Sequence, residues 1–310
     1  MLSPPDDWPC LQQFWQSSTT AGKHAAPDLR EQHHAEVKAL YRRGISLEDA
    51  LVFLAYHQPS LAAFAQWLAA RTRPLPPKDG EGAQQLSEAE LQFWHRNGYL
   101  VLRGAVPQAQ CMAAQDAIWD YLGASISEPA SWYQNHPGKR GMMLQFSDHP
   151  ALAANRHGAR IRSAYEQLYG SSTIFASIDK VSFNPPLVDS HGFTGSALHW
   201  DVSLQPPIPF KLQGMLYLSD CAATHGAFHC VPGFQHRHEQ WLAQVPPGQN
   251  PREWATQTLQ PVAVEGQAGD FIIWHQALPH CATPNHGALP RMVQYLTYLP
   301  DRCVDQPDWY

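Results

Sequence analysis

His199 and Asp201 stand two apart in the run "ALHWDVSL", residues 197–204, which otherwise has the apolar texture of a strand. In a β-strand alternate side chains share a face, so the imidazole and the carboxylate point one way and Trp200 and Val202 the other. A carboxylate turned toward a core is costly unless a partner compensates it. The pair therefore reads either as a satisfied core histidine beside a hydrogen-bonded aspartate, or as two donors of a metal site. The metal reading needs a third donor from another segment. "AGDFIIWHQALPHCATPNHGALPRMVQYL" (268–296) offers three: His275, His280 and His286. "FIIW" reads as a core strand, and His280 falls just beyond it, at a loop edge from which a side chain can reach back over a barrel mouth.

Two histidines and one carboxylate on one face of a β-barrel leave three metal positions open. That set marks non-haem Fe(II) oxygenases rather than zinc sites, because dioxygen and a co-substrate need the empty positions. Arg291 opens the alternating run "RMVQYLTYLP". If it points inward it needs an anion, and a planar guanidinium grips a carboxylate through two parallel hydrogen bonds. The far carboxylate of a keto-acid that chelates the iron would serve. An exposed loop arginine ahead of a core strand is the plainer alternative.

The elements that must position these residues fall in two regions. Residues 1–85 read as a helical N-terminal extension, which packs on the main domain or contributes to a dimer. "SLEDALVFLAYHQPSLAAFAQWLAAR" has Ser46 as N-cap, Glu48 and Asp49 in the first turn and Pro59 as a divider. "PLPPKDGEGAQQ" (74–85) is a proline- and glycine-rich connector. Residues 86–310 form the main domain. Ser87 and Glu90 make a capping box, Gly98 ends that helix, and "YLVLRG" follows as a strand. A helix over about 109–121 comes next. From about Ile174 onward, short apolar runs divided by Pro and Gly ("FASIDKVSF", "SALHWDVSL", "KLQGMLYLSD", "AFHCVPG", "LQPVAVE", "GDFIIWH", "MVQYLTYL") predict an antiparallel sandwich or jelly roll. No dinucleotide or P-loop glycine motif occurs.

The 310 residues carry a formal net charge of −6, which gives no basic footprint for nucleic acid or an anionic membrane. No run is long enough to span a membrane, and "MLSPPDDWPC" lacks a secretory pattern. The six cysteines are scattered without a C-x-x-C pair, as reduced thiols are. The expectation is a soluble, cytoplasmic protein of unspecified oligomeric state.

Three ordered motifs over roughly 87–300 resemble the phytanoyl-CoA dioxygenase-like branch of the Fe(II)/2-oxoglutarate-dependent oxygenases. They are "LHWDV", "GMLYLSDCAATHGAFHCVPGFQH" and "AGDFIIWHQALPHCATPNHGALPR"; "FWHRNGYLVLRGAV" looks like the family's opening helix and strand. The resemblance implies an α+β fold, a double-stranded β-helix (jelly roll, cupin-like) core flanked by helices. It implies metal ligation by His199, Asp201 and His280, and a 2-oxoglutarate clamp at Arg291. His275 has a counterpart in the family, but not as a ligand. Tyr217, eighteen residues after the first histidine, and Ser182, on the preceding strand, are implied as further co-substrate contacts. Ala282 and Phe234 replace serines usual in the family, which weakens individual polar contacts and leaves the metal set intact. The implied reaction hydroxylates a small organic substrate with dioxygen, converting 2-oxoglutarate to succinate and CO2. Related halogenases carry alanine or glycine where this chain has Asp201. The competing readings are a non-catalytic jelly-roll binding protein and a zinc-dependent hydrolase. Trp132, Tyr133, Met142 and Met143 are either pocket lining or ordinary core.

Overall fold

The computed structural model describes residues 7–19, 29–72, 84–189, 191–301 and 306. The 74–85 connector, apart from its last two residues, and Cys303 lie outside them. Four helices come first: α1 (Trp8–Thr19), α2 (Leu29–Tyr41), α3 (Leu47–His57) and α4 (Leu61–Arg71). Their caps are those expected. Ser46 Oγ accepts the N–H of Asp49 at 3.0 Å, and Pro59 divides α3 from α4, which Ser60 caps. These helices bury their apolar stripes on one another, through Leu11, Phe14, Leu40, Leu54, Phe64 and Leu68. The unit also docks on the rest of the chain. Lys180 pairs with Glu48, Ser147 Oγ donates to Asp49 at 2.9 Å, and Lys38 pairs with Asp301.

The capping box of Ser87 and Glu90 starts α5 (Glu88–Asn97), and Gly98, at φ 72°, closes it in the left-handed region that glycine tolerates. Then follow β1 (Tyr99–Leu102), α6 (Gln108–Leu122), β2 (Lys139–Arg140), β3 (Met143–Leu144), α7 (Pro150–Arg156) and α8 (Ala159–Tyr169). The remaining elements are β4 (Ile174–Ala176), β5 (Val181–Asn184), β6 (Leu212–Tyr217), β7 (Phe228–Cys230), α9 (His238–Leu242), α10 (Pro251–Thr258), β8 (Val262–Val264), β9 (Phe271–His275), β10 (His280–Ala282), β11 (Arg291–Tyr295) and β12 (Tyr298–Pro300). The fold mixes helices with an antiparallel sheet of seven strands, in the order β1-β9-β6-β11-β5-β3-β2. A three-stranded sheet, β10-β7-β8, and a pair, β12-β4, complete it.

Strand alternation sorts the large sheet into two faces. Leu216 of β6, Phe271 and Ile273 of β9, Met292 of β11, and Val181 and Phe183 of β5 join Ala114, Ile118, Leu152, Ile161 and Tyr165 of the helices. Their neighbours Met215, Tyr217, Ile272, Trp274 and Val293 pack instead with Phe228, Cys230 and Val264 of the small sheet. By the same alternation Ser182, Asn184, Gln213 and Arg291 belong to this inner face. One expectation is corrected here. Residues 197–204 are not a strand: only His199 pairs, through an isolated bridge to His280, and the chain bends at Asp201. His280 follows the turn after β9 and is the first residue of β10, ladder-bonded to β7.

Candidate metal centre

His199 and Asp201 converge although no regular strand carries them. The bridge to His280 fixes the backbone of His199, and Trp200 turns the opposite way, 2% exposed, donating its indole N–H to Ala277 O at 2.8 Å and packing on Phe234 and Trp241. Anchoring Trp200 inward forces its two neighbours outward on one side. His280 joins them with ring centroids 4.5 Å apart from His199. Among the described residues, this is the one group of three or more His, Cys, Asp and Glu side chains with donor atoms all within 4.8 Å of one another.

Both histidines are in the tautomer a metal needs. His199 Nδ1 lies 2.9 Å from Ala197 O, and His280 Nδ1 lies 3.1 Å from Leu278 O. A carbonyl oxygen can only accept, so each Nδ1 carries the proton and each Nε2 presents a lone pair. Those Nε2 atoms sit 3.6 Å and 3.4 Å from Oδ1 and Oδ2 of Asp201 respectively. Separations of this size are spanned by one ion with donors at roughly 2.1 Å. Burial acting alone would raise the Asp201 carboxyl. At the low pH where this carboxyl titrates the imidazoles are protonated, and the hydrogen bond and charge of His280, with Gln213 and His199, outweigh burial and hold the group well below the usual carboxylate range. Burial, then the charge of His280, lowers the His199 imidazole. An anionic carboxylate beside imidazole lone pairs suits a divalent transition metal. The donor set thus fits the group it was expected to hold. His280 is 8% exposed, His199 40% and Asp201 51%, so the cluster is reached from solvent on its aspartate side.

Arg291 heads β11 and is 2% exposed. Its Nε donates to Gly226 O at 2.9 Å and its Nη1 to Ser182 Oγ at 2.9 Å. Among the described residues no carboxylate lies within ion-pair distance of it. Gly226 leads into β7, whose Phe228 stacks on His280 at 5.7 Å, so one short segment joins the guanidinium to the metal cluster. Ser182 is thereby brought to Arg291. Tyr217 is fully buried nearby, and its hydroxyl is committed to backbone: it donates to Val264 O at 2.8 Å and accepts from Phe228 N at 3.0 Å. Only its ring is available for packing.

His275 is kept out of the cluster. Its Nδ1 accepts the N–H of Ala277 at 2.9 Å and its ring packs on Phe210. Trp132 is core, packed on Trp119, and Tyr133 ties its hydroxyl to Pro186 O. Three contributors were not found by sequence reasoning. Gln213 Nε2 donates to Asp201 Oδ2 at 2.7 Å, Trp274 Nε1 donates to Gln213 Oε1 at 2.9 Å, and Arg252 donates to the carbonyls of Trp200 and Val202. A polar residue inside "KLQGMLYL" was the sole signal for Gln213; Arg252 had none.

A Dictyostelium discoideum protein described as a phytanoyl-CoA dioxygenase is 18% identical over 266 residues, covering 69% of this chain and 76% of the relative. The ectoine dioxygenase of Bordetella bronchiseptica is 22% identical over 259 residues, covering 74% and 80%. The crystal structure of the non-haem alpha-ketoglutarate-dependent carbocyclase SnoK from nogalamycin biosynthesis superposes with a TM-score of 0.52 at 18% identity. That superposition covers 73% of this chain and 88% of SnoK, and it shows a shared fold. The family model for phytanoyl-CoA dioxygenase (PhyH) matches residues 94–293, a span that encloses the His199–Asp201–His280 cluster and Arg291. With most of its length so matched, the chain belongs to the phytanoyl-CoA dioxygenase family.

Proposed function

We propose that this protein is a non-haem Fe(II)- and 2-oxoglutarate-dependent dioxygenase that hydroxylates a small organic substrate. One observation carries the reading: the segment Gly226–Phe228 joins the His199–Asp201–His280 donor set to a buried guanidinium that has no carboxylate within ion-pair distance among the described residues. A buried cation with no counter-ion is costly. A dicarboxylate that reaches from the metal to Arg291 would remove that cost and supply the second requirement of the chemistry. The seven-stranded and three-stranded sheets, face to face with His199 bridged onto β10, support a jelly-roll core in residues 86–310 with 1–85 as a helical extension. The five described cysteines are free thiols, in keeping with the cytoplasm.

Iron, when bound, supplies dioxygen activation coupled to decarboxylation of the keto-acid, with succinate as co-product. The chain's own residues do the rest. His199 and His280, each through Nε2, and the Asp201 carboxylate would hold the ion. Arg291, steadied by Gly226 O and Ser182 Oγ, orients the co-substrate, and Tyr217 closes the floor behind it. Asp201 would supply that ion with a carboxylate at the position where related halogenases carry alanine or glycine.

Purified protein loaded anaerobically with Fe(II) and given 2-oxoglutarate and air should form succinate, with a gain of one oxygen atom in the substrate found by screening lipids, amino acids and secondary metabolites. His280→Ala should abolish succinate formation. Metal-dependent hydrolysis supported by Zn(II), with no 2-oxoglutarate consumed, would overturn the reading.

A further inference from the structure

The two oxygens of Asp201 are treated unequally. Oδ1 faces His199 Nε2 at 3.6 Å, whereas Oδ2 accepts a 2.7 Å hydrogen bond from Gln213 Nε2 and lies 3.4 Å from His280 Nε2. The Gln213 amide has no freedom to turn over. Its Oε1 accepts from Trp274 Nε1 at 2.9 Å, and an indole nitrogen can only donate, so the amide nitrogen must be the end that meets Asp201. Gln213 and Trp274 are direct cross-strand partners on β6 and β9, on the face toward the small sheet. Trp274 is itself held in place, its ring 4.6 Å from Phe228 and 5.5 Å from His280. The donor aimed at Asp201 is therefore set by sheet register and core packing.

We propose that Gln213, backed by Trp274, is a positioning residue that retains Oδ2 of Asp201 so that the carboxylate offers a metal Oδ1 alone. The inference rests on the reading of the cluster as an iron site. A carboxylate free to swing can ligate through both oxygens and fill a position that the co-substrate or dioxygen requires. An amide N–H on Oδ2 occupies a lone pair of that oxygen and opposes this, and it also fixes the carboxylate plane before the ion arrives.

Metal binding tests this without turnover. Anaerobic Fe(II) titration and the Co(II) absorption spectrum of the full chain would be compared for wild type, Gln213→Leu and Trp274→Phe. Gln213→Leu should weaken Fe(II) binding by roughly tenfold or more and change the Co(II) spectrum, reporting altered ligation. Trp274→Phe keeps an aromatic ring but frees the amide, and should shift both in the same direction by less. If Gln213→Leu fails to fold, Trp274→Phe decides. Fe(II) affinity within about twofold of wild type and an unchanged Co(II) spectrum would overturn the role of Gln213. A wild-type chain that binds no Fe(II) would overturn the iron reading and this inference with it.

Discussion

His199 and His280 hold each other by their backbones: His199 N donates to His280 O at 3.0 Å, and His280 N donates back to His199 O at 2.9 Å. The second member is doubly anchored, because β10 also pairs with β7, His280 opposite Cys230. The two Nε2 donors are thus brought together by main-chain bonds that form with or without an ion. A site built this way loses little conformational entropy when metal binds.

The first prediction separates the two nearest histidines. His280→Ala removes an inward Nε2 and should abolish tight Fe(II) binding. His275→Asn alters a ring that accepts from Ala277 N and packs on Phe210, and it should leave Fe(II) affinity near wild type. Anaerobic titration of both variants checks this; the reverse pattern would assign the third ligand to His275.

Arg291 gives the second. A charge-assisted pair in a buried setting loses about 2–5 kcal/mol when one partner is truncated. Arg291→Ala should therefore raise the dissociation constant for 2-oxoglutarate at least tens-fold, and Arg291→Lys should restore only part, having no fork. Thermal melting supplies an independent check. Saturating 2-oxoglutarate should raise the Tm of the Fe(II)-loaded wild type by mass action and not that of Arg291→Met. Equal co-substrate stabilisation of both would remove Arg291 from the binding site.

Much of this arrangement was legible in the sequence, for identifiable reasons. Ser46, Ser87 with Glu90, and Gly98 act through bonds within a few residues, so local pattern finds them. The alternation in "LHWDV" correctly put His199 and Asp201 on one side, yet for another reason than the one supposed. Trp200 is buried by tertiary packing and Asp201 sits in a bend, so side-chain preference survives where ladder pairing stops at His199. "FASIDKVSF" divides because its two ends serve different sheets: β4 pairs with β12, and β5 with β11. Gln213 was hidden because its meaning comes from register with Trp274, sixty-one positions on, which no local pattern encodes.

The third prediction concerns acid stability. Burial, with the charge of His236 adding to it, pushes the His275 imidazole down to about 4 from 6.5. Between those values the unfolded chain binds a proton that the folded chain refuses, so stability rises with pH there and falls as pH drops from about 6.5 toward 4. The full loss attributable to this group is about 3 kcal/mol, and above pH 6.5 or so it contributes no slope. Urea unfolding of the metal-free protein across this range should show the decline, and His275→Asn should flatten it. Parallel pH profiles for the two proteins would contradict a neutral buried His275.

The last prediction turns on Arg252. Asn250 Oδ1 caps α10 by accepting the N–H of Arg252 at 2.9 Å, which sets the arginine in the helix's first turn. From there Nη1 donates to Trp200 O at 2.9 Å and Nη2 to Val202 O at 2.7 Å, the two carbonyls flanking Asp201. One planar group thus spans the bend that carries the carboxylate ligand, and its two donors match two acceptors a fixed distance apart. Hydrogen bonds from a charged donor contribute about 1.5–3 kcal/mol each, and water can replace part of that where the bend reaches solvent. Arg252→Met keeps the apolar stem and should lower stability by about 1–3 kcal/mol while weakening Fe(II) binding several-fold, because Asp201 loses its fixed backbone. Arg252→Lys should recover less than half of either effect, since an ammonium is a point donor and cannot bridge both carbonyls in the same plane. Chemical denaturation and anaerobic metal titration read the two quantities separately. Wild-type iron affinity in a destabilised Arg252→Met would make the fork a brace for α10 alone; a loss in both, partly restored by lysine, would tie the helix to the metal centre through the carbonyls of Trp200 and Val202.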